Sequence, residues 1–187
     1  MITPGLTLCN PFNGETFIFT EGEAGQDSCR FDVILADGGS GGGNALEHVH
    51  PLAEETFTVQ TGALKVMING TAHLAGPGET VTVPKGAAHY FVNAHSGQTR
   101  ATVQFTPAQN FVRFFANFAT TTEQVPQWYS KTGDPHLLLI AVSLNAYRDH
   151  LYLAKAPVRL QKWLFALLAL VGKLWRCPTP IPAKGRY

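Results

Sequence analysis

Two periods divide this chain. Up to about Thr106, β-branched and aromatic residues alternate with polar ones in short runs, at residues 16–20, 31–35, 56–60, 64–68, 80–83, 90–92 and 102–105. Alternation at period two marks strands with one buried face. Gly, Asn, Asp or Pro separates most of the runs and marks the turns. Asn69-Gly70 lies between two such stretches and predicts a two-residue hairpin, because both residues accept positive φ. Many short strands with no helical stretch between them predict a sandwich or barrel.

Beyond Thr106 the period lengthens. Thr106 as cap, Pro107 at the first helical position and Gln109 three residues after the cap predict a helix start. Phe111, Phe114, Phe115 and Phe118 follow at helical spacing and read as a packing face. Asp134-Pro135 predicts a second start, opening a helix over residues 136–152. A third helix is expected after Pro157, running to about Arg176, with Pro178, Pro180 and Pro182 ending regular structure. The expected organisation is a β domain over residues 1–107 and a helical extension over residues 108–187, packed on the barrel or on a second subunit.

Composition adds three constraints. Hydrophobic residues make up 45% of the 187 and charged residues 14%, which suits a globular core and excludes a disordered or coiled-coil chain. The three cysteines, Cys9, Cys29 and Cys177, are too few and too scattered for a disulfide framework or a four-cysteine zinc site. They read as structural thiols. Residues 1–10 lack the basic start and apolar run of a secretory signal, so a cytoplasmic location is expected. The net charge of +1 hides an asymmetry. Residues 155–187 hold seven cations and no Asp or Glu, so the remainder carries the other seven cations and all 13 acids.

Candidate chemistry concentrates in residues 42–62 and 78–93. His48 and His50 are two apart, so on a strand they share a face. Glu55 shares parity with Phe57 and Val59, residues that belong inside, whereas Glu54 shares parity with Thr56 and Thr58. The second stretch contributes His89. Imidazole nitrogens with a carboxylate oxygen suit a divalent transition ion; Fe, Mn, Ni, Co, Cu and Zn all accept such donors. His73, His95, His136 and His150 read as ordinary polar residues with local partners. Gly38-Gly39-Ser40-Gly41-Gly42 fits the spacing of a hydrolase elbow, but no apolar helix follows it, and a loop is the better reading.

The two stretches resemble the paired signature motifs of the cupin superfamily. The first, G-x5-H-x-H-x4-E-x6-G, is filled by Gly42, His48, His50, Glu55 and Gly62. The second, G-x5-P-x-G-x2-H-x3-N, is filled by Gly78, Pro84, Gly86, His89 and Asn93, and 15 residues separate the two. The resemblance implies a mainly β fold, a cupin-type double-stranded β-helix (jelly-roll barrel), here with a C-terminal α-helical extension. It also implies one divalent transition metal ion, with His48, His50, Glu55 and His89 as ligands. Asn93 is expected to be structural.

An apolar wall of Phe31, Phe57, Val59, Met67, Phe91 and Phe105 is expected around the centre, without an inward Lys or Arg for a sugar phosphate. By analogy with dioxygenase cupins, the resemblance points to a metal-dependent dioxygenase-type enzyme acting on a small aromatic or enolic compound. Glu55 would then serve as ligand and general base. The alternative is a non-catalytic metal-dependent small-molecule binding or sensor protein. The β region offers no basic, aromatic-interleaved patch for nucleic acid. The third helix is too apolar to stand alone in water. Packing onto the helix of residues 111–118, the outer barrel or the partner of a homodimer is the favoured reading, and attachment to a membrane surface the less favoured one.

Glu54→Gln should leave metal affinity nearly unchanged and Glu55→Gln should weaken it sharply, measured by metal titration. The reverse ranking would mean a strand register shifted by one residue.

Overall fold

The computed structural model describes residues 2–21, 27–39, 46–131 and 133–178. Gly42 and the prolines at 180 and 182 lie outside the described residues, as does part of the glycine-rich loop. Among the described residues, eleven strands form two antiparallel sheets and three α-helices follow the tenth strand, with the eleventh strand between the second and third helices. The strands are β1 (Thr7–Asn10), β2 (Glu15–Ile18), β3 (Cys29–Leu35), β4 (His48–Val49), β5 (Glu54–Thr61), β6 (Leu64–Ile68), β7 (Thr71–Ala75), β8 (Thr80–Val83), β9 (His89–Asn93), β10 (Thr99–Thr106) and β11 (Tyr152–Leu153). One sheet has the order β1-β2-β3-β10-β5-β8 and the other β11-β4-β9-β6-β7. The architecture is mainly β, a jelly roll with C-terminal helices.

The alternation read from the sequence sets the faces. Along β5, Glu55, Phe57 and Val59 are buried, whereas Glu54 is exposed. Thr56 and Thr58 on its outer face meet Thr82 and Thr80 of β8 through hydroxyl hydrogen bonds. Phe31, Phe57, Val59, Phe91 and Phe105 lie in one core with Leu64 and Val66. Met67 departs from the expected wall. It is only partly buried, because Leu64 and Val66 take the inward parity of β6 and leave Met67 on the other face.

The turns follow the residue chemistry. Asn69 and Gly70 both have positive φ, as the hairpin requires. Pro84 to Ala87 closes a turn with Gly86 at φ +78°. The Asn93 side chain donates to the carbonyls of Ala36 and Gly97 and accepts from Thr99, a structural clamp.

The first helix, α1 (Phe111–Gln124), starts later than expected, with Asn110 as its cap. Thr106 does not cap it, because the residue is drawn into the β10–β5 ladder opposite Glu54. The second helix, α2 (Leu137–Ala146), is capped by the His136 side chain rather than by Asp134, and it ends before Tyr152. Tyr152 belongs instead to β11, which pairs with β4. Asp134 hydrogen-bonds Ser130. The third helix, α3 (Val158–Leu174), follows Pro157 as expected. It docks on α2 through Ala169 and its neighbours rather than on the Phe-rich helix. α1 packs on β1, β2 and β3 and places Phe111 and Phe115 in the main core. The cysteines are free thiols. Burial pushes Cys29 up to about 12 and Cys177 up to about 11, so both are inert.

Gly62 has φ +79°, and a Cβ there would stand 2.8 Å from both Gln98 O and Thr99 Cα. Gly86 has open space around its missing Cβ. Gly62→Ala should therefore cost about 3 kcal/mol, strain plus displaced backbone, and Gly86→Ala about 1 kcal/mol. Urea denaturation of the two variants checks the ranking.

Candidate metal centre

The register of the sheets brings four side chains to one point. His48 on β4 and His89 on β9 are direct cross-strand partners. His50 follows β4 by one residue, and its carbonyl accepts from the Gly86 amide at 2.8 Å, which ties it to the turn before His89. Glu55 comes from the other sheet, where it faces Val83 of β8 and Phe105 of β10. The four residues are only 1–3% exposed. Their nearest ligand atoms lie within 4.8 Å of one another, a donor set that could hold one metal ion.

The backbone behind the rings sets their chemistry. His48 Nδ1 is 2.7 Å from Leu46 O, His50 Nδ1 is 2.5 Å from His150 O, and His89 Nδ1 is 2.9 Å from Ala87 O. A carbonyl oxygen can only accept, so each Nδ1 carries hydrogen and donates. In the neutral ring the free lone pair is therefore on Nε2, and this arrangement fixes tautomer and orientation for metal ligation. His50 Nε2 is buried without a hydrogen-bond partner, 3.4 Å from Glu55 Oε2. A buried nitrogen lone pair left unpaired costs stability, and a bound cation would satisfy it. By this test the residues present fit a divalent ion.

Without an ion, protons take up part of the load. His89 Nε2 donates to Glu55 Oε2 at 2.8 Å. Burial alone would raise the Glu55 carboxyl, but the His50 and His89 imidazoles outweigh it and hold the group well below the usual carboxylate range. Burial likewise pushes against a charged His89, but the hydrogen bond and charge of Glu55 raise it above its ordinary value. Burial, together with His50 and His89, pushes His48 well below its ordinary value and keeps it neutral. Below the raised value of His89 the metal-free centre holds an imidazolium–carboxylate pair, and metal binding there then releases a proton.

Aromatic rings wall the centre. Phe105 and Phe111 stack at 3.8 Å, and each presents its face or edge to His50 at about right angles, 5.1 and 5.2 Å between centroids. An apolar cavity of about 130 Å³, lined by residues of α1 and α2, has His48 in its wall. Phe114, Phe118, Leu139, Ile140 and Leu144 are among the apolar residues that line it, and no Lys or Arg does.

The sequence brought forward all four members of the cluster, and the structure puts them together. It missed the parts that come from the extension. The His150 carbonyl that orients His50 lies 100 residues away in the chain, with no motif to announce it. The His150 ring accepts from the Asn110 amide at 3.1 Å, which fixes the start of α1 and with it Phe111. Gln161 of α3 pairs with both backbone groups of Leu153, at 2.9 and 2.8 Å, and Leu153 is the register partner of His48.

Residues 32–105 match the family model described as the cupin domain. No curated protein matches the chain. Among solved structures, KdgF from Halomonas sp. is similar at 17% identity, covering 56% of this chain and 89% of that one, with a TM-score of 0.48. An RmlC-like cupin from Shewanella frigidimarina is similar at 16% identity over 56% of this chain and 86% of that one, TM-score 0.47. A variant of Streptomyces PAC13 with uridine is similar at 20% identity over 51% and 71%, TM-score 0.43.

The charge pair predicts a pH window in metal-free protein. The raised His89 contributes stability that is full below its unfolded value of about 6.5 and is lost as pH rises through its folded value. The depressed Glu55 contributes stability present above about 4.5 and lost as pH falls through its folded value. His89→Gln keeps a donor but removes the charge. With chelator present, its destabilisation should be greatest between about pH 4.5 and 6.5 and shrink on either side. A pH-independent effect in denaturant titrations would contradict the pairing.

Proposed function

We propose that this chain, whose residues 32–105 match the cupin domain model, is a metal-dependent enzyme of dioxygenase type acting on a small, largely apolar ring compound. One juxtaposition carries the reading: the three-imidazole, one-carboxylate donor set lies against an apolar cavity through His48. A volume of about 130 Å³ is close to the roughly 150 Å³ of an apolar cavity known to take benzene.

When bound, a divalent transition ion would supply a Lewis-acid centre with positions left open by four protein ligands. The chain's own groups do the rest. His48, His50 and His89 are aimed by the carbonyls behind them. Glu55 is ionised near neutral pH and balances the ion's charge. Its depressed pKa keeps it deprotonated for ligation and leaves it a weak base, so proton acceptance on Oε2 is a secondary role. Phe105 and Phe111 exclude water from the His50 side. Phe114, Phe118 and Leu139 hold a ring by apolar contact, with polar atoms in the wall confined to a few groups such as Thr121 and Ser143. Such a wall is unsuited to a phosphorylated sugar. Insertion of both atoms of dioxygen into a ring compound balances without an external reductant.

The second reading is a non-catalytic binding or sensor protein. It is favoured by the neutral cavity wall, whose lining has no Asp, Glu, Lys or Arg to serve as a second acid or base.

The test loads the chain with Fe, Mn, Co, Ni, Cu or Zn in turn and follows dioxygen uptake with a panel of catechols and enediols. Substrate-dependent uptake with one redox-active ion supports the enzyme. Ile140→Phe, which fills the cavity, should then raise KM several-fold at unchanged metal content. Ligand binding without uptake for any ion selects the sensor. Neither binding nor uptake overturns both readings.

A further inference from the structure

One face of α3 holds the helix to the rest of the chain. Gln161, Phe165, Ala169 and Gly172 are buried. Gln161 is fixed to Leu153 and Ala156, and Gly172 comes so close to α2 that a Cβ there would stand 2.6 Å from Val142 Cγ2. The opposite face is apolar and exposed. Leu160, Trp163, Leu167, Leu170 and Leu174 are 60–82% exposed, and Leu164 and Trp175 are exposed as well. At 100° per residue these seven fall in an arc of about 140°, pointing away from α2.

Charge follows the same division. Exposed Arg159 and Lys173 run along one flank of the arc, with Arg176 just past the helix end. Lys162 is engaged by Asp149 at 2.5 Å and is not free. α3 has no Asp or Glu, whereas the chain before residue 155 holds all 13 acids. Among the described residues, no helix is long and apolar enough to cross a membrane.

We propose that the exposed face of α3 docks on the surface of an anionic bilayer, with the helix in the interface plane and the acidic body turned away from the lipid. Three observations select this occupant. The apolar arc is bordered on one flank by cations, at the level where anionic headgroups would lie. Trp163 and Trp175 mark the two halves of the arc, and indole favours the boundary between acyl chain and headgroup. A second copy of the chain is a poorer match. The other exposed large apolar side chains among the described residues, Leu46, Leu52, Leu74 and Leu137, are scattered over separate elements. α3 would have to meet α3, which supplies no carboxylate for the cations of either copy.

The experiment uses the full chain in flotation with phosphatidylcholine vesicles and with mixed phosphatidylcholine–phosphatidylserine vesicles. The protein should float with the mixed vesicles, float poorly with phosphatidylcholine alone, and be released by salt. Arg159→Glu with Lys173→Glu should lower partition to the mixed vesicles by roughly tenfold or more. Trp163→Gln with Leu167→Gln and Leu170→Gln should abolish it, with circular dichroism and metal content unchanged because these side chains touch little of the fold. Absence of flotation with either vesicle would overturn the proposal. So would a dimer in sedimentation that the triple variant converts to monomer without any flotation, which would assign the face to a second copy.

Discussion

A carboxylate in a place water does not reach governs this structure. Glu55 projects from one sheet into the space between two, and an ionised group there is tolerable only if opposite charge or a cation meets it. The other sheet supplies the answer through His89 at 2.8 Å, and the unpaired His50 Nε2 at 3.4 Å is left to meet a cation. Side chains alternate strictly along a strand, so this meeting depends on the register of both sheets at once. The β10–β5 ladder sets Glu55 opposite Phe105, and the β4–β9 pair sets His48 opposite His89. The turn at Gly86 and the close contact at Gly62 keep those registers from drifting.

The helices belong to the same arrangement. β11 lies in the extension yet completes the sheet that carries His48. The α3 side chain of Gln161 holds β11, and the His150 carbonyl aims His50. α1 contributes Phe111 to the wall around His50 and, with α2, encloses the cavity beside His48. A jelly roll supplies donor atoms that many chemistries can use. In this chain the added helices define what space a ligand has and how apolar that space is.

Much of this was legible in the residues. Alternation placed the strands of the main ladders, parity separated Glu55 from Glu54, and paired motifs brought His89 to His48, His50 and Glu55. Local turn chemistry gave the hairpin at Asn69-Gly70. The errors have two causes: tertiary pairing overrode a local cap signal, and residue type was read without strand parity. Thr106 had the chemistry of a helix cap but was claimed by a strand ladder. Met67 is as apolar as its neighbours, but the parity of Val66 left it on the outer face. The His150 carbonyl and β11 left no signal, since a backbone oxygen has no residue type and a two-residue strand has no period. The amphipathic division of α3 was also hidden, because apolar residues occupy both its docked and its exposed face.

The central claim is that His48, His50, Glu55 and His89 together hold one divalent ion. Elemental analysis of natively purified protein, beside the His50→Ala, His89→Ala double variant, tests it most directly. The account predicts one equivalent of metal in the parent and none in the double variant, with the β-sheet circular dichroism retained in both. Full metal occupancy in the double variant, or a parent that takes up no divalent ion when each is supplied, would contradict it.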